Sequence, residues 1–134
     1  MFGYIILKNT FLVELDLPAT IGAGQEYKFL DIPQLRGKKI TGIAASSADQ
    51  LAVSPNSKTV VGTTGLPSAV VVFAHKTFER VFYFPIYDLV PENNLGLWRM
   101  FEPFEIDFNK SYVKLFTTTN VNASEAFIFN FNYE

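Results

Sequence analysis

His75 is the one histidine in the chain, so any imidazole acid–base chemistry would have to sit there. It closes the most apolar run of the sequence, Ser68 to His75, and is followed by Lys76. An imidazole works as a catalytic base when a nucleophile and an orienting group are held against it. A serine nucleophile is commonly presented on a Gly-x-Ser-x-Gly turn, and no such turn occurs. His75 therefore reads as a histidine at a strand end. Glu102, Glu105 and Asp107 are the nearest thing to a carboxylate pair, with Glu105 and Asp107 two residues apart. A retaining glycosidase sets its two carboxyls about 5 Å apart across a cleft. Alternate residues of one strand stand roughly 7 Å apart and point the same way, which suits a solvated face better. The alternating aspartates of a calcium loop are missing. Arg36, Lys38 and Lys39 flank Gly37 after Pro33 and read as an exposed turn. A phosphate cradle would want a helix starting at the glycines, and none follows here or after Gly22-Ala23-Gly24. No catalytic residue, metal ligand or cofactor site is assigned, and the chain is not read as an enzyme.

Aromatic residues are the strongest departure from average composition, with 14 Phe, 6 Tyr and 1 Trp making 16% of the chain. Phe127, Phe129, Phe131 and Tyr133 alternate with Ile128, Asn130 and Asn132, as one inner face of a sheet would. The stretch from 82 to 104 differs, because bulky residues fall on both parities and cannot all point inward. Pro85, Pro91 and Pro103 require loops there, yet the loops are apolar. Tyr83, Tyr87, Leu97, Trp98, Arg99, Met100 and Phe101 are therefore the candidate interface residues, with Trp98 as anchor and Arg99 as its polar companion. A lid over the chain's own core and a carbohydrate-stacking platform of Trp98, Tyr87 and Tyr83 would use the same residues.

The elements that must carry these residues are strands. Phe11–Leu17 alternates apolar and acidic positions, and Glu26–Ile32, Lys39–Ala45, Lys58–Val61, Ser68–His75, Phe78–Phe84, Phe104–Phe108, Tyr112–Phe116 and Phe127–Tyr133 complete the candidates. Gly42 marks a bulge or close contact, and Asn109-Lys110-Ser111 marks a turn. Asn94–Met100 is the best helix candidate, at one or two turns. Strands spaced 8–12 residues apart with Pro and Gly between them indicate an all-β antiparallel sandwich, read here as a single jelly roll of about eight strands over one domain, residues 1–134. With 49% hydrophobic and 18% charged residues, the chain can bury a core. A net charge of −2 speaks against a dedicated nucleic-acid binder, and zero cysteines exclude a disulfide scaffold or thiolate zinc. No run reaches the ~18 apolar residues of a spanning helix, and the apolar start, residues 1–7, lacks the flanks of a signal peptide.

Three segments together resemble a known group. Phe84-Pro85-Ile86-Tyr87-Asp88-Leu89-Val90-Pro91, then Ile106-Asp107-Phe108-Asn109-Lys110-Ser111-Tyr112-Val113, then the closing Phe-x-Phe-x-Phe-x-Tyr strand are similar in pattern to the single-jelly-roll penton and minor capsid proteins of tailless, membrane-containing icosahedral bacteriophages. The resemblance covers roughly the C-terminal half. It implies a structural virion protein, assembled with copies of itself and other capsid proteins, without catalytic residues or cofactor; the charge balance and the lack of a spanning run add the expectations of synthesis in the host cytoplasm, no nucleic-acid contact and no membrane insertion. A carbohydrate- or receptor-binding module, meeting a cell-surface glycan, is the competing expectation.

Overall fold

A computed structural model describes residues 9–50, 54–91 and 98–134. Eight strands run in chain order: β1 (Asn9–Asp16), β2 (Glu26–Lys28), β3 (Ile40–Ser46), β4 (Ala69–His75), β5 (Val81–Pro85), β6 (Arg99–Phe104), β7 (Ile106–Leu115) and β8 (Ala126–Tyr133). Short 3-10 turns are the only helical pieces among the described residues. The strands form two four-stranded antiparallel sheets, ordered β1-β8-β3-β6 and β2-β7-β4-β5. The β-sandwich expected from the alternation is the architecture found.

The pairings have a simple logic. β1 pairs with β8, β2 with β7, β3 with β6 and β4 with β5, as in one long ribbon folded at the β4–β5 hairpin. Two further pairings, β3 with β8 and β4 with β7, close the folded ribbon into sheets. Only the β4–β5 connection stays within its sheet; every other connection crosses from one layer to the other.

Between the layers lies a core of phenylalanine rings. Phe129 and Phe131 come from β8, Phe73 from β4, Phe108 from β7, and Phe29 from just beyond β2. Phe29 packs on Phe73, Phe108 and Phe129 at 5.6–5.8 Å between ring centres, and Phe131 meets Phe73 at 5.6 Å and Phe108 at 5.5 Å, both edge-on. Offset and edge-to-face contacts suit the ring quadrupoles. Room for Phe129 is made by its small neighbour Ala45 on β3. Phe127, Phe129 and Phe131 are all buried, as their alternation demands.

The structure corrects several sequence expectations. Asn109-Lys110-Ser111 is no turn: β7 runs through it as a bulge, with Val72 opposite Tyr112 but Ala74 opposite Asp107. The buried Ser111 hydroxyl fills the gap, accepting from Ala74 N at 3.0 Å and donating to the Asp107 carbonyl at 2.8 Å. Lys58–Val61 supplies only an isolated parallel bridge, Val60 to Ala126. β2 keeps three residues of the longer run expected. In the helix candidate Asn94–Met100, residues 94–97 lie outside the described ones, while Arg99 and Met100 belong to a strand. Asn132 is buried rather than solvent-facing, and its side chain donates to Thr41 Oγ1 on β3 at 2.6 Å, not to a loop. Gly42 behaves as its residue type suggests: the register shifts between Ile40 and Gly42, and an added Cβ would lie 2.5 Å from the Met100 sulfur.

Two substitutions test this packing. Phe129→Ala is expected to cost ~3–5 kcal/mol in a urea denaturation curve, through lost burial and the cavity left behind. Gly65→Ala places a methyl 2.4 Å from the Asn120 carbonyl oxygen and 2.8 Å from a Val61 methyl. Backbone cannot yield as a side-chain tip does, so a loss at the upper end of ~1–3 kcal/mol is expected in the same measurement.

Candidate functional site

Position along β4 fixes His75 at the strand's end, where the chain turns into β5. Its Nδ1 accepts hydrogen bonds from the backbone N–H of Thr77 at 3.0 Å and of Phe78 at 3.2 Å. The ring stacks on Phe104 at 5.1 Å and meets the tilted ring of Phe78 at 4.8 Å. The imidazole thus organises the hairpin turn. A hollow of about 530 Å³ beside it is lined in part by Lys76, Arg80 and Lys110.

The acidic candidates are dispersed. Glu105 sits at the corner between β6 and β7 and accepts from Gly37 N at 2.8 Å, pinning the turn in which Gly37 takes a φ of +75°. Glu102 is exposed on β6 and Asp107 half-buried on β7. In the basic turn, Arg36 is committed to an ion pair with Asp31. Among the described residues no three His, Asp or Glu side chains gather closely enough to hold a metal ion.

One carboxylate pair is brought together that the sequence reading did not single out. Glu14 and Asp16 are alternate residues on the outer side of β1, under the turn at 54–56. Glu14 accepts from the Ser54 hydroxyl at 2.5 Å and Asn56 N at 3.4 Å, while Asn56 Nδ2 donates to Asp16 at 3.2 Å. Burial pushes both carboxyls up. For Glu14 the bonds from Asp16, Ser54 and Asn56 outweigh burial and hold it below its ordinary value. For Asp16 the bond to Glu14 and its charge add to burial and raise it. Period-2 spacing was the available signal; the partner turn, forty residues away, was not legible.

The expected interface residues are divided by the fold. β5 and β6 are edge strands of different sheets and face each other along one side of the sandwich. Phe82 and Phe84 on β5 meet Phe101 and Phe104 on β6: Phe82 lies 4.7 Å from Phe104, and Phe84 lies 6.0 Å from Phe101. The Arg99 guanidinium sits 5.9 Å over the Phe84 ring. Phe101 packs against the chain's own core and is half-buried there, while Arg99 is exposed. Trp98 is half-buried as well. Tyr83, 64% exposed, points to the outside of its sheet opposite Val72, and Met100 points to the outside of the other sheet over Gly42. Tyr87 lies in the 3-10 turn after β5, between the buried Ile86 and Leu89. Leu97 falls outside the described residues.

Other exposed apolar groups lie outside that set of candidates. Leu30, Phe78, Val81 and Phe116 are all open, Leu30 at 86%. The sequence offers Phe78 and Val81 only as strand positions, because nothing in the alternation separates an outward bulky residue on an edge strand from an inward one. Comparison with protein-family models, with curated proteins and with solved structures finds no match to this chain.

The Glu14–Asp16 pair yields a pH test. A raised folded-state value for Asp16 means that its contribution is present below the unfolded value and lost as pH rises through the folded one. Glu14, held low, contributes above the unfolded value and loses that contribution as pH falls. Asp16→Asn is therefore expected to raise Tm at pH 7, with the gain shrinking towards about pH 4. Glu14→Gln is expected to lower Tm at pH 7. Melts recorded across that range check both signs.

Proposed function

We propose that the chain is a structural building block of a virion shell, of the penton or minor capsid kind, that works by assembling with copies of itself and with other shell proteins. The observation that carries this reading is the distribution of exposed apolar side chains. Val81 and Tyr83 lie on the outside of one sheet, and Leu12 and Met100 belong to strands of the other. Phe78 is at the β4–β5 turn and Leu30 lies beyond β2. A ligand-binding module concentrates such groups in one concavity, whereas a tile needs them on several sides. The strand order supports the same reading. Nested pairs folded into two four-stranded sheets are compatible with a single jelly roll, an architecture used for shells as well as lectins. Fold alone does not decide function, so the weight rests on the surface.

Sedimentation of the purified chain over a wide concentration range tests the proposal. Mass rising with concentration, with no glycan retained on an array, is the expected outcome. A monomer at every concentration that binds glycan and loses it on Tyr83→Ala would favour the carbohydrate module instead.

A further inference from the structure

A sheet edge exposes unpaired N–H and C=O groups, and proteins guard such edges with charge, proline, bulges or shortness. Among the described residues the sandwich has four edge strands, β1 and β6 in one sheet and β2 and β5 in the other. Three are guarded. β2 is three residues long and carries Glu26 and Lys28. β6 contains Arg99, Glu102 and Pro103 and pairs irregularly with β3. β1 carries Glu14 and Asp16, both hydrogen-bonded to the 54–56 turn. β5, Val81-Phe82-Tyr83-Phe84-Pro85, has no charge, and its register with β4 is unbroken.

The hydrogen-bond phase of β5 can be read off. His75 N–H donates to the Arg80 carbonyl at 2.9 Å, which makes that opposed pair a hydrogen-bonded one. Bonded pairs recur at every second position of an antiparallel ladder. Phe82 opposite Phe73 and Phe84 opposite Val71 are then the next two, so their backbone groups face β4. The N–H and C=O of Val81 and Tyr83 face away from β4, and among the described residues no strand pairs with that side. Both side chains stand outside the sheet, 49% and 64% exposed. Pro85 ends the row, having no N–H to offer.

We infer that a second copy of this chain docks on this edge, β5 against β5, antiparallel about a two-fold axis at Phe82. Such a pairing sets Val81 of each copy opposite Tyr83 of the other. Each opposed pair exchanges two hydrogen bonds, so all four edge groups of each copy are satisfied by an identical set. Val81 packs beside Tyr83 across the seam on the outer face, an aromatic against a β-branched side chain, which is a favourable cross-strand pair. No like charges meet, because β5 carries none and the flanking Arg80 and Glu79 fall opposite Phe84 and Pro85 of the second copy. The same patch meets itself, as a two-fold contact requires. The two sheets containing β5 become one of eight strands. Two opposed pairs bury less than the ~1,200 Å² of a stable complex, so the contact is a weak one that a shell would multiply.

This inference rests on the building-block reading and names one of its contacts. Its test compares wild type with Val81→Lys, an edge lysine at an exposed position, and Tyr83→Pro, which removes an outward N–H. Circular dichroism and melting establish that each is folded. Wild-type mass is expected to rise towards two chains near ~100 μM, the range of a weak contact. Exchange of the Val81 and Tyr83 amides should slow at least about tenfold over the same rise, as pairing protects them. Both variants should stay monomeric. If Tyr83→Pro fails to fold, Val81→Lys decides alone. Association that persists in the folded variants overturns the β5 contact and leaves the building-block reading standing. A wild type that stays monomeric up to ~1 mM overturns both.

Discussion

Everything in this sandwich depends on phenylalanine rings meeting across the gap between two sheets. Without cysteine, no covalent bond can tie the layers together. Rings from β4, β7, β8 and the segment after β2 interlock at 5.5–6.3 Å. Each buried ring contributes roughly 1.5–3 kcal/mol relative to exposure, and because the rings touch one another their contributions are coupled. A second group, Phe82, Phe84, Phe101 and Phe104, extends the same contact to the flank where β5 and β6 face each other. Phe73 joins the two groups through Phe84 at 6.1 Å. The aromatic surplus of the sequence is thus spent mainly on holding layers together, and only a remainder reaches the surface.

That division explains what was legible beforehand. β8 declared itself because Phe127, Phe129 and Phe131 share one parity, and β1 because Glu14 and Asp16 break its apolar run on the other. β4 was found as a continuous apolar run. Its outward Val72 is almost fully buried, lying between Tyr83 and Tyr112 in neighbouring strands, so alternation was never imposed on it. β6 was missed because Pro103 and a register shift spoil its period; an edge strand tolerates both where an interior one could not. The β7 bulge looked like a turn because polar residues crossing a ladder resemble polar residues leaving it. Only the Ser111 hydroxyl, bonded on both sides, distinguishes the cases, and its partners are set by tertiary structure.

The candidate site shows the same limit. Residue type sets 82–104 apart, but does not tell which members face inward. Phe101 and Arg99 turned towards Phe84, while Tyr83 and Met100 turned away on opposite sheets. Orientation is a property of register, and register in a two-layer fold is decided by partners far along the chain.

The nested pairing also dictates when the molecule can form. β8 lies between β1 and β3, so neither of those strands has its main neighbour until residue 133 has left the ribosome. β4 and β5, by contrast, can meet as soon as residue 85 is out. Pairing that joins position 9 to position 133 carries a large loop-closure cost and slows folding. One sheet is thus a late event and the hairpin an early one. Until β8 is available, the inward rings of Phe73 and Phe108 lack Phe131 as a partner, and for that interval the unfinished sandwich exposes apolar rings that favour aggregation.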